Sequence, residues 1–155
     1  MKIAGIQKNS FVDFPGKVSA VLFTPGCNMN CFYCHNRRLL SLNENEDVVE
    51  IDEVSQLLAK RKGFLDAVVI SGGEPTLQTG LGRFLEKLKG IGYKVKLDTN
   101  GTNPQVIESL IGNNLVDYIA MDIKAPFERY SEVCCTDVDA ESIRRSIKVL
   151  MEGRI

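Results

Sequence analysis

The residues with the clearest chemical potential are three cysteines that lie close together in the chain. Cys27, Cys31 and Cys34 form a C-x3-C-x2-C pattern within the stretch TPGCNMNCFYCHN. Thiolates bind soft metals, and these spacings allow one loop to wrap around a small iron–sulfur cluster. With three protein ligands a four-iron cluster would leave one iron open, and an open metal position is what catalysis uses. The pattern therefore indicates a catalytic iron–sulfur site.

A structural, non-catalytic role for the same cysteines is an open alternative. A structural zinc site requires four ligands, whereas the local cysteines number three. His35 directly follows Cys34, where it is awkwardly placed to chelate the same ion. A zinc knuckle or a set of merely buried thiols is therefore the alternative to a cluster.

The composition limits the classes of function. The 155 residues are 44% hydrophobic and 25% charged, which is typical of one globular domain over residues 1–155. The net charge of −1 lacks the basic field that drives nonspecific binding to nucleic acid. No apolar run approaches the roughly 18 residues of a membrane span, and the N-terminal segment is unlike a signal peptide. We expect a cytoplasmic protein with no nucleic-acid or membrane partner, in which clustered thiols indicate metal or redox chemistry.

Four short segments rich in strand-forming residues, three of them apolar and the third along the chain alternating, are bounded by turn residues and are predicted strands. They span residues 18–23, 66–70, 93–97 and 118–121. Helical patterns alternate with them, which predicts an α/β fold with a parallel sheet. Because parallel strands end at the same edge of a sheet, the loops that follow them should converge on one site. These loops are residues 24–36, 71–76, 98–102 and 122–126.

Capping residues predict where the helices begin and end. We expect Asp52 to cap the first helix and Asn103, which precedes a proline, to cap the third. Asp139 should cap the fourth helix, and Gly153 should end it. The inward-facing residues of this last helix are predicted to be Ile143, Ile147, Leu150 and Met151.

The cysteine loop resembles the signature of the radical S-adenosylmethionine (SAM) superfamily. In that family the same pattern has an aromatic residue before its last cysteine, a place that Tyr33 fills here. The resemblance implies that Cys27, Cys31 and Cys34 bind a [4Fe–4S] cluster whose open iron holds SAM. It further implies reductive cleavage of SAM to methionine and a 5′-deoxyadenosyl radical, with Tyr33 in the cofactor site.

The loop after the second predicted strand adds to this resemblance. Ser71, Gly72, Gly73 and Glu74, followed by proline, match the family's GGEP motif, which holds the SAM amino group. Glycines lack a Cβ atom, so their backbone can approach a ligand closely. For Glu74 a second interpretation is a carboxylate at the positive start of the following helix.

Two further loops resemble a subgroup of the superfamily, the activating enzymes of glycyl radical enzymes. One reads DTNG, with Asp98, Thr99 and Asn100, and the other has Asp122 and Lys124 in a D-x-K pattern. Alone, the Asn-Gly pair would indicate a simple turn. The resemblance implies a SAM site beside a monovalent cation, for which hard oxygen ligands are suitable. The implied cation ligands are Asp98, Thr99, Asp122 and the backbone carbonyl of Ala120.

Four other residues have two interpretations each. The resemblance implies that Lys124 faces the SAM carboxylate as a point charge and that His35 lies near the adenine. Their alternatives are a solvated surface lysine and a loop histidine that caps backbone groups. Cys134 and Cys135 are expected to be buried, inert thiols, with a redox-sensitive pair as the alternative.

The resemblance runs from about residue 3 to the end of the chain. It implies a partial parallel (β/α) barrel with about four of the usual six βα units, either a short form or a radical SAM domain that lacks its C-terminal part. In either case the strand at 117–122 would be an unpaired edge. The N-terminal stretch is similar to proteins that activate anaerobic ribonucleotide reductase.

The function implied by the resemblance is that of an activase. The deoxyadenosyl radical would abstract a Cα hydrogen from a glycine of a partner enzyme, with a flavodoxin- or ferredoxin-type protein as reductant. Anaerobic ribonucleotide reductase would be the first candidate partner. The alternatives are a radical SAM enzyme that acts on a small molecule and a non-catalytic zinc or iron–sulfur module.

Overall fold

The computed structural model describes residues 1–40 and 48–153, which form a five-stranded sheet with helices packed along it. The strand order follows the chain, and the second to fifth strands run parallel. The strands are β1 Gly5–Ser10, β2 Ser19–Thr24, β3 Ala67–Gly72, β4 Lys94–Thr99 and β5 Tyr118–Met121. The α/β class, the four predicted strands and their parallel order are therefore confirmed, and β5 lies at an edge of the sheet.

Strand β1 has no counterpart among the predicted strands. It runs antiparallel to β2, with Gly5 opposite Phe23, and its register shifts between Gln7 and Ser10. Three consecutive polar residues of β1 are exposed, so it lacks the alternation that marks a half-buried strand. As an edge strand it is held by backbone hydrogen bonds to one neighbour, and the pattern of its side chains does not predict this pairing.

Most helices lie where the sequence places them. They are α1 Ile51–Arg61, α2 Leu81–Ile91, α3 Pro104–Gly112, α4 Tyr130–Cys134 and α5 Ala140–Glu152. Short 3-10 turns span Arg37–Leu39, Pro75–Leu77 and Phe127–Arg129. The short α4 is absent from the predicted set. Within the described residues, no helix is long and apolar enough to cross a membrane.

The capping predictions have mixed outcomes. Asp139 caps α5 as predicted, since its carboxylate accepts a hydrogen bond from a first-turn N–H at 3.0 Å. The prediction that Asp52 caps α1 is wrong: the helix starts directly after the extended residue Glu50. Asp52 instead lies in the first turn, where its charge faces the positive end of the helix. Asn103 precedes α3, but its side chain donates to the Thr76 hydroxyl at 2.8 Å.

The buried face of α5 is narrower than predicted. Ile143 is fully buried, and Ile147 and Leu150 are partly buried, but Met151 is 82% exposed. A helix turns by about 100° per residue, which puts Met151 about 80° away from Ile143 and at the margin of the apolar stripe. The prediction that Met151 faces inward is therefore wrong.

One face of the sheet builds the main core. Alternate residues of β2, β3 and β4 point to this side, where α1, α2 and α3 cover them. The strand residues are Ala20, Leu22, Val68, Ile70, Val95 and Leu97, and the main helical ones are Val54, Leu58, Phe84, Leu85, Leu88 and Leu110. The remaining residues of each strand point to the second face.

The second face changes character along the strands. Near the strand starts, Phe14 from the loop between β1 and β2 packs against Ala67 and Val69. Toward the carboxyl end of β4, Lys96 and Asp98 occupy this face, because they alternate with the core-facing residues of that strand. The second face is thus apolar at one end and charged at the other, and the charged end is the edge on which the loops converge.

Gly73 lies where the loop after β3 touches the loop after β2. A Cβ atom at Gly73 would be 2.0 Å from the carbonyl oxygen of Gly26, and a backbone atom cannot swing away as a side chain can. The N–H of Glu74 donates to the same carbonyl at 2.8 Å. Gly73 therefore permits the close contact between the two loops.

We predict that Gly73→Ala lowers the free energy of unfolding by about 1–3 kcal/mol, the usual cost of overpacking. Urea denaturation followed by circular dichroism measures it. Gly90→Ala is the matched control, because Gly90 lies inside α2 with no atom within 4 Å of an added Cβ. There alanine should raise the free energy of unfolding by up to about 1 kcal/mol. A Gly73→Ala protein as stable as the wild type would contradict the loop contact.

Candidate active site

The four loops that follow the parallel strands converge on one cavity of about 470 Å³. Every residue that the sequence singled out for cofactor or metal binding lines this cavity, with the exception of Glu74. The lining set comprises Cys27, Cys31, Tyr33, Cys34, His35, Ser71, Gly72, Gly73, Asp98, Thr99, Asn100, Ala120, Asp122 and Lys124. Convergence at the carboxyl edge of the sheet is therefore confirmed. The roles of the single residues stay predictions.

The cysteine loop is held in place by backbone and side-chain hydrogen bonds. The guanidinium of Arg37 donates to the Cys31 carbonyl at 3.1 Å and to the side chain of Asn30 at 3.0 Å. The N–H of Cys34 donates to the Cys31 carbonyl at 3.0 Å, which closes a tight turn between these two cysteines. The N–H of Asn30 reaches the carbonyl of Cys134 at 2.9 Å. This loop is therefore a fixed platform for its thiols.

Cys27 is the thiol with the clearest set of partners. Its sulfur accepts hydrogen bonds from the N–H of Met29 at 3.4 Å and from the Asn100 amide at 3.9 Å. Burial raises the pKa of Cys27, and the hydrogen bond from Met29 partly opposes that rise. Metal binding requires the deprotonated thiol, so N–H donors aimed at the sulfur favour the form that a cluster would need.

The adjacent cysteines Cys134 and Cys135, outside the C-x3-C-x2-C loop, differ from each other. Cys134 is fully buried beside Cys31, and burial, followed by its contact with Cys31, raises the pKa of Cys134 to about 12. The expectation of a buried thiol is confirmed for Cys134. For Cys135 it is wrong, because this residue ends α4 in a left-handed conformation, with φ of 48°, and is exposed. The turn that ends the helix points the second thiol away from the core.

The clustered thiols do not form a compact site for a single metal ion. Among the described residues, no three His, Cys, Asp or Glu side chains are gathered closely enough to hold one metal ion. Cys27, Cys31 and Cys34 nevertheless line the same cavity, and Cys27 has N–H donors directed at its sulfur. Their donor set, three thiols from one loop, fits an iron–sulfur cluster with an open iron better than a structural zinc ion, which takes four ligands.

Glu74 organises the site from behind the cavity. Its side chain is fully buried, and one carboxylate oxygen accepts hydrogen bonds from the N–H of Thr76 at 3.0 Å, the Thr76 hydroxyl at 2.5 Å and the Thr99 hydroxyl at 2.8 Å. The other oxygen accepts from the N–H of Asn100 at 2.7 Å. Burial raises the pKa of Glu74, whereas these bonds, from Asn100 first, oppose the rise. Glu74 thus caps the turn Pro75–Leu77, the helix-start role that the sequence left open.

Asn100 extends this network to the cysteine loop. Its amide nitrogen donates to the Asn28 side chain at 2.9 Å, as well as to the sulfur of Cys27. Its amide oxygen accepts from the N–H of Thr102 at 3.0 Å, which closes the turn expected of an Asn-Gly pair. Three loops, after β2, β3 and β4, are therefore joined through two side chains, Glu74 and Asn100.

Two ion pairs occupy the remaining wall of the cavity. Lys124 contacts Asp122 at 2.7 Å, and Lys96 contacts Asp98 at 2.8 Å. Burial alone would lower the pKa of Lys124, but the hydrogen bond to Asp122 raises it above its ordinary value. Sequence reasoning missed Lys96, although the alternation in YKVKLD places it on the same face as Asp98. Exposed His35 lies at the rim, where it lines the cavity.

Comparison with protein families adds an independent finding. The family model described as "Radical SAM superfamily" matches residues 21–155. The chain belongs to the radical SAM superfamily. The matched region begins in β2 and includes every cavity-lining residue that the sequence singled out.

Two solved structures confirm the radical SAM fold. The structure of QueE from Escherichia coli has a TM-score of 0.58 at 14% identity, over 97% of this chain and 73% of that one. The structure of "TYW1 with a lysine-pyruvate adduct bound" has a TM-score of 0.56 at 19% identity, over 86% of this chain and 52% of that one. The predicted partial (β/α) barrel of this superfamily is therefore confirmed.

Curated relatives of the radical SAM chain include activating enzymes. One, from Methanocaldococcus jannaschii, is provisionally named a glycyl-radical enzyme activating enzyme and is 42% identical over 153 residues. A pyruvate formate-lyase-activating enzyme from Staphylococcus epidermidis is 35% identical over 100 residues. The alignments cover 97% and 61% of this chain, but 61% and 39% of those relatives. The chain thus spans less than two thirds of the length of either relative.

We predict that Glu74→Gln lowers the free energy of unfolding by about 2 kcal/mol, because one acceptor oxygen becomes an NH₂ donor facing other donors. Urea denaturation at neutral pH measures the change. Glu86→Gln is the matched control, since Glu86 is exposed on α2 and should shift stability by less than about 0.5 kcal/mol. Equal stability of the two variants would show that the buried carboxylate does not hold the loops together.

Proposed function

We propose that this radical SAM chain is an activase that generates a glycyl radical on a partner enzyme. The observation that carries the proposal is the convergence of three cysteine thiols with the GGEP, DTNG and D-x-K loops on one cavity. The similarity of nearly the whole chain to a protein named as an activating enzyme supports the choice of substrate class.

In this proposal Cys27, Cys31 and Cys34 hold a [4Fe–4S] cluster and leave one iron for SAM. When bound, the cluster and SAM together supply a one-electron reductive cleavage that yields methionine and a 5′-deoxyadenosyl radical. The protein contributes orientation and exclusion of water rather than a general base. Arg37 and Asn100 serve this end by fixing the loop that carries the thiols.

The roles of the residues that would hold SAM come from the family resemblance, and their shared place around the cavity supports them. Lys124 would face the SAM carboxylate, and its short tether to Asp122 limits where the ammonium can move. Gly72 and Gly73 would present backbone groups to the SAM amino group, with Ser71 beside them. The adenine would lie toward the remaining lining residues at the cysteine end of the cavity, which include Tyr33 and His35.

A monovalent cation is the part of the resemblance that this chain accommodates least well. Its implied ligands include the carboxylates of Asp98 and Asp122, and an ammonium group contacts each of them. The Thr99 hydroxyl donates to Glu74 and accepts from the N–H of Gly101. Because an ammonium group already lies beside each carboxylate, the cation is left out of the proposed mechanism.

A protein substrate is favoured over a small molecule by the curated relatives. The radical would take a hydrogen atom from a glycine Cα, which gives 5′-deoxyadenosine and a glycyl radical, and the electron would come from a flavodoxin- or ferredoxin-type protein. Anaerobic ribonucleotide reductase is the first candidate partner. A reducing compartment such as the cytoplasm is part of the proposal, in keeping with five free thiols.

We predict that Cys27→Ala, Cys31→Ala and Cys34→Ala each abolish stable iron binding, because each removes one of three thiolate ligands. The wild type, reconstituted anaerobically, should contain about four iron and four sulfide per chain and give the EPR signal of a reduced cluster. Cys134→Ala and Cys135→Ala are the controls, and they should keep both. Loss of the signal in Cys134→Ala would contradict the three-ligand assignment, and zinc in place of iron would contradict the cluster.

The function itself is tested with candidate partners. We predict that the reduced, reconstituted chain mixed with SAM and its cognate glycyl radical enzyme produces the EPR doublet of a glycyl radical. Deuterium should move from Cα-labelled glycine of the partner into 5′-deoxyadenosine. If label arrives from a small molecule and no glycyl radical enzyme gives the doublet, the activase proposal fails while the radical SAM assignment stands.

A further inference from the structure

Lys96 is a lysine in an unusual position for a flexible, charged side chain. It lies on the second face of β4, lines the proposed SAM cavity, and its side chain is only 11% exposed. Its ammonium is 2.8 Å from the nearest carboxylate oxygen of Asp98 and 5.9 Å from the ring centroid of Tyr118. Lys94, two residues earlier, has a side chain that is 56% exposed and pairs with Asp117. The contrast shows that Lys96 does not extend toward solvent.

A largely buried ammonium needs compensation for the water it has lost. In this chain the Asp98 carboxylate and the face of the Tyr118 ring supply it. The register of the sheet fixes this arrangement, because Lys96 pairs with Val69 on one side and with Tyr118 on the other. The positive charge is therefore built into the wall of the cavity by three neighbouring strands.

The charges that line the cavity balance in pairs. Asp98 and Asp122 are the carboxylates of the lining, and Lys96 and Lys124 are its ammonium groups. Each ammonium lies within 2.8 Å of one carboxylate oxygen. The contact between Lys96 and Asp98 is an ion pair without a hydrogen bond, since the buried Asp98 Oδ1 makes none within the described residues. A further cation beside either carboxylate would meet a negative charge that an ammonium already offsets. Binding of an ion would therefore add little electrostatic stabilisation.

We propose that the ammonium of Lys96 takes the place beside Asp98 that the family resemblance gives to a monovalent cation. Lys96 is then a positioning residue: it fixes Asp98 and supplies the positive charge at the inner end of the cavity. The consequence, which rests on the proposed SAM site, is that SAM binding by this chain does not depend on the alkali ion present.

The first experiment measures SAM affinity of the reconstituted full chain by equilibrium dialysis in sodium, potassium, lithium or choline chloride at equal ionic strength. Wild-type affinity should agree across the four salts to within about twofold. Lys96→Met keeps the apolar stem and removes the charge beside Asp98, so affinity should become about tenfold weaker in choline than in potassium. Lys94→Met is the matched control and should behave as the wild type.

The second experiment needs neither the cluster nor SAM. Thallium-205 NMR of the cluster-free chain, with Tl⁺ in place of K⁺, should show no saturable ion binding to the wild type. Lys96→Met should gain a saturable site, and Lys96→Met combined with Asp98→Asn should lose it again. If Lys96 had only a structural role, its replacement by Met would not create a saturable Tl⁺ site.

Several results would overturn the proposal. A saturable alkali-ion site in the wild type would show that Lys96 does not replace the monovalent cation. Wild-type SAM affinity that varies more than about fivefold with the ion would show the same. If a folded Lys96→Met protein still bound SAM with an affinity independent of the cation, the proposal that Lys96 replaces the cation would also fail. If Lys96→Met does not fold, the wild-type measurements still decide. A chain that binds no SAM in any salt fails the proposed function, and the NMR arm alone then tests Lys96.

Discussion

The buried carboxylate of Glu74 is the interaction on which the geometry of the site depends. An ionisable group with no exposed surface is costly unless donors surround it, and here four hydrogen bonds from two loops do so. Those donors fix the end of β4 against the turn after β3. Asn100, bound through its own N–H to this carboxylate, carries the constraint to Cys27 and Asn28. The thiols are thus positioned by a polar network inside the protein rather than by the sheet alone.

Within a single strand of the sheet, the residues on the two faces have different roles. In β4 the residues Val95 and Leu97 enter the main core, whereas the alternate residues Lys96 and Asp98 face the cavity. The same strand therefore provides stability on one side and charge on the other. Phe14 covers the starts of β2 and β3 on the cavity side, so the polar part of this face is confined to the carboxyl edge.

Sequence reasoning succeeds where a physical signal is local and fails where it is not. The strands β2, β3 and β5 are predictable because buried parallel strands read as short apolar runs between turns, and β4 is predictable from its alternation of apolar and charged residues. Strand β1 is missed because an edge strand can be polar, and Asp52 is misplaced because acidic residues suit both the cap and the first turn. The motif around Glu74 gives the residue type but not its direction, and the side chain turns away from the cavity.

The same limit applies to the charges of the cavity. A motif predicts that Asp98 and Asp122 lie near a cation, but it does not say which cation, since that depends on what the neighbouring strands present. Alternation in β4 brings Lys96 beside Asp98, and the short D-x-K loop brings Lys124 beside Asp122. Salt screens the Lys96–Asp98 pair less than the Lys124–Asp122 pair, because the Asp98 side chain is 31% exposed and that of Asp122 is 72% exposed. The electrostatics of this site are therefore set by the fold itself.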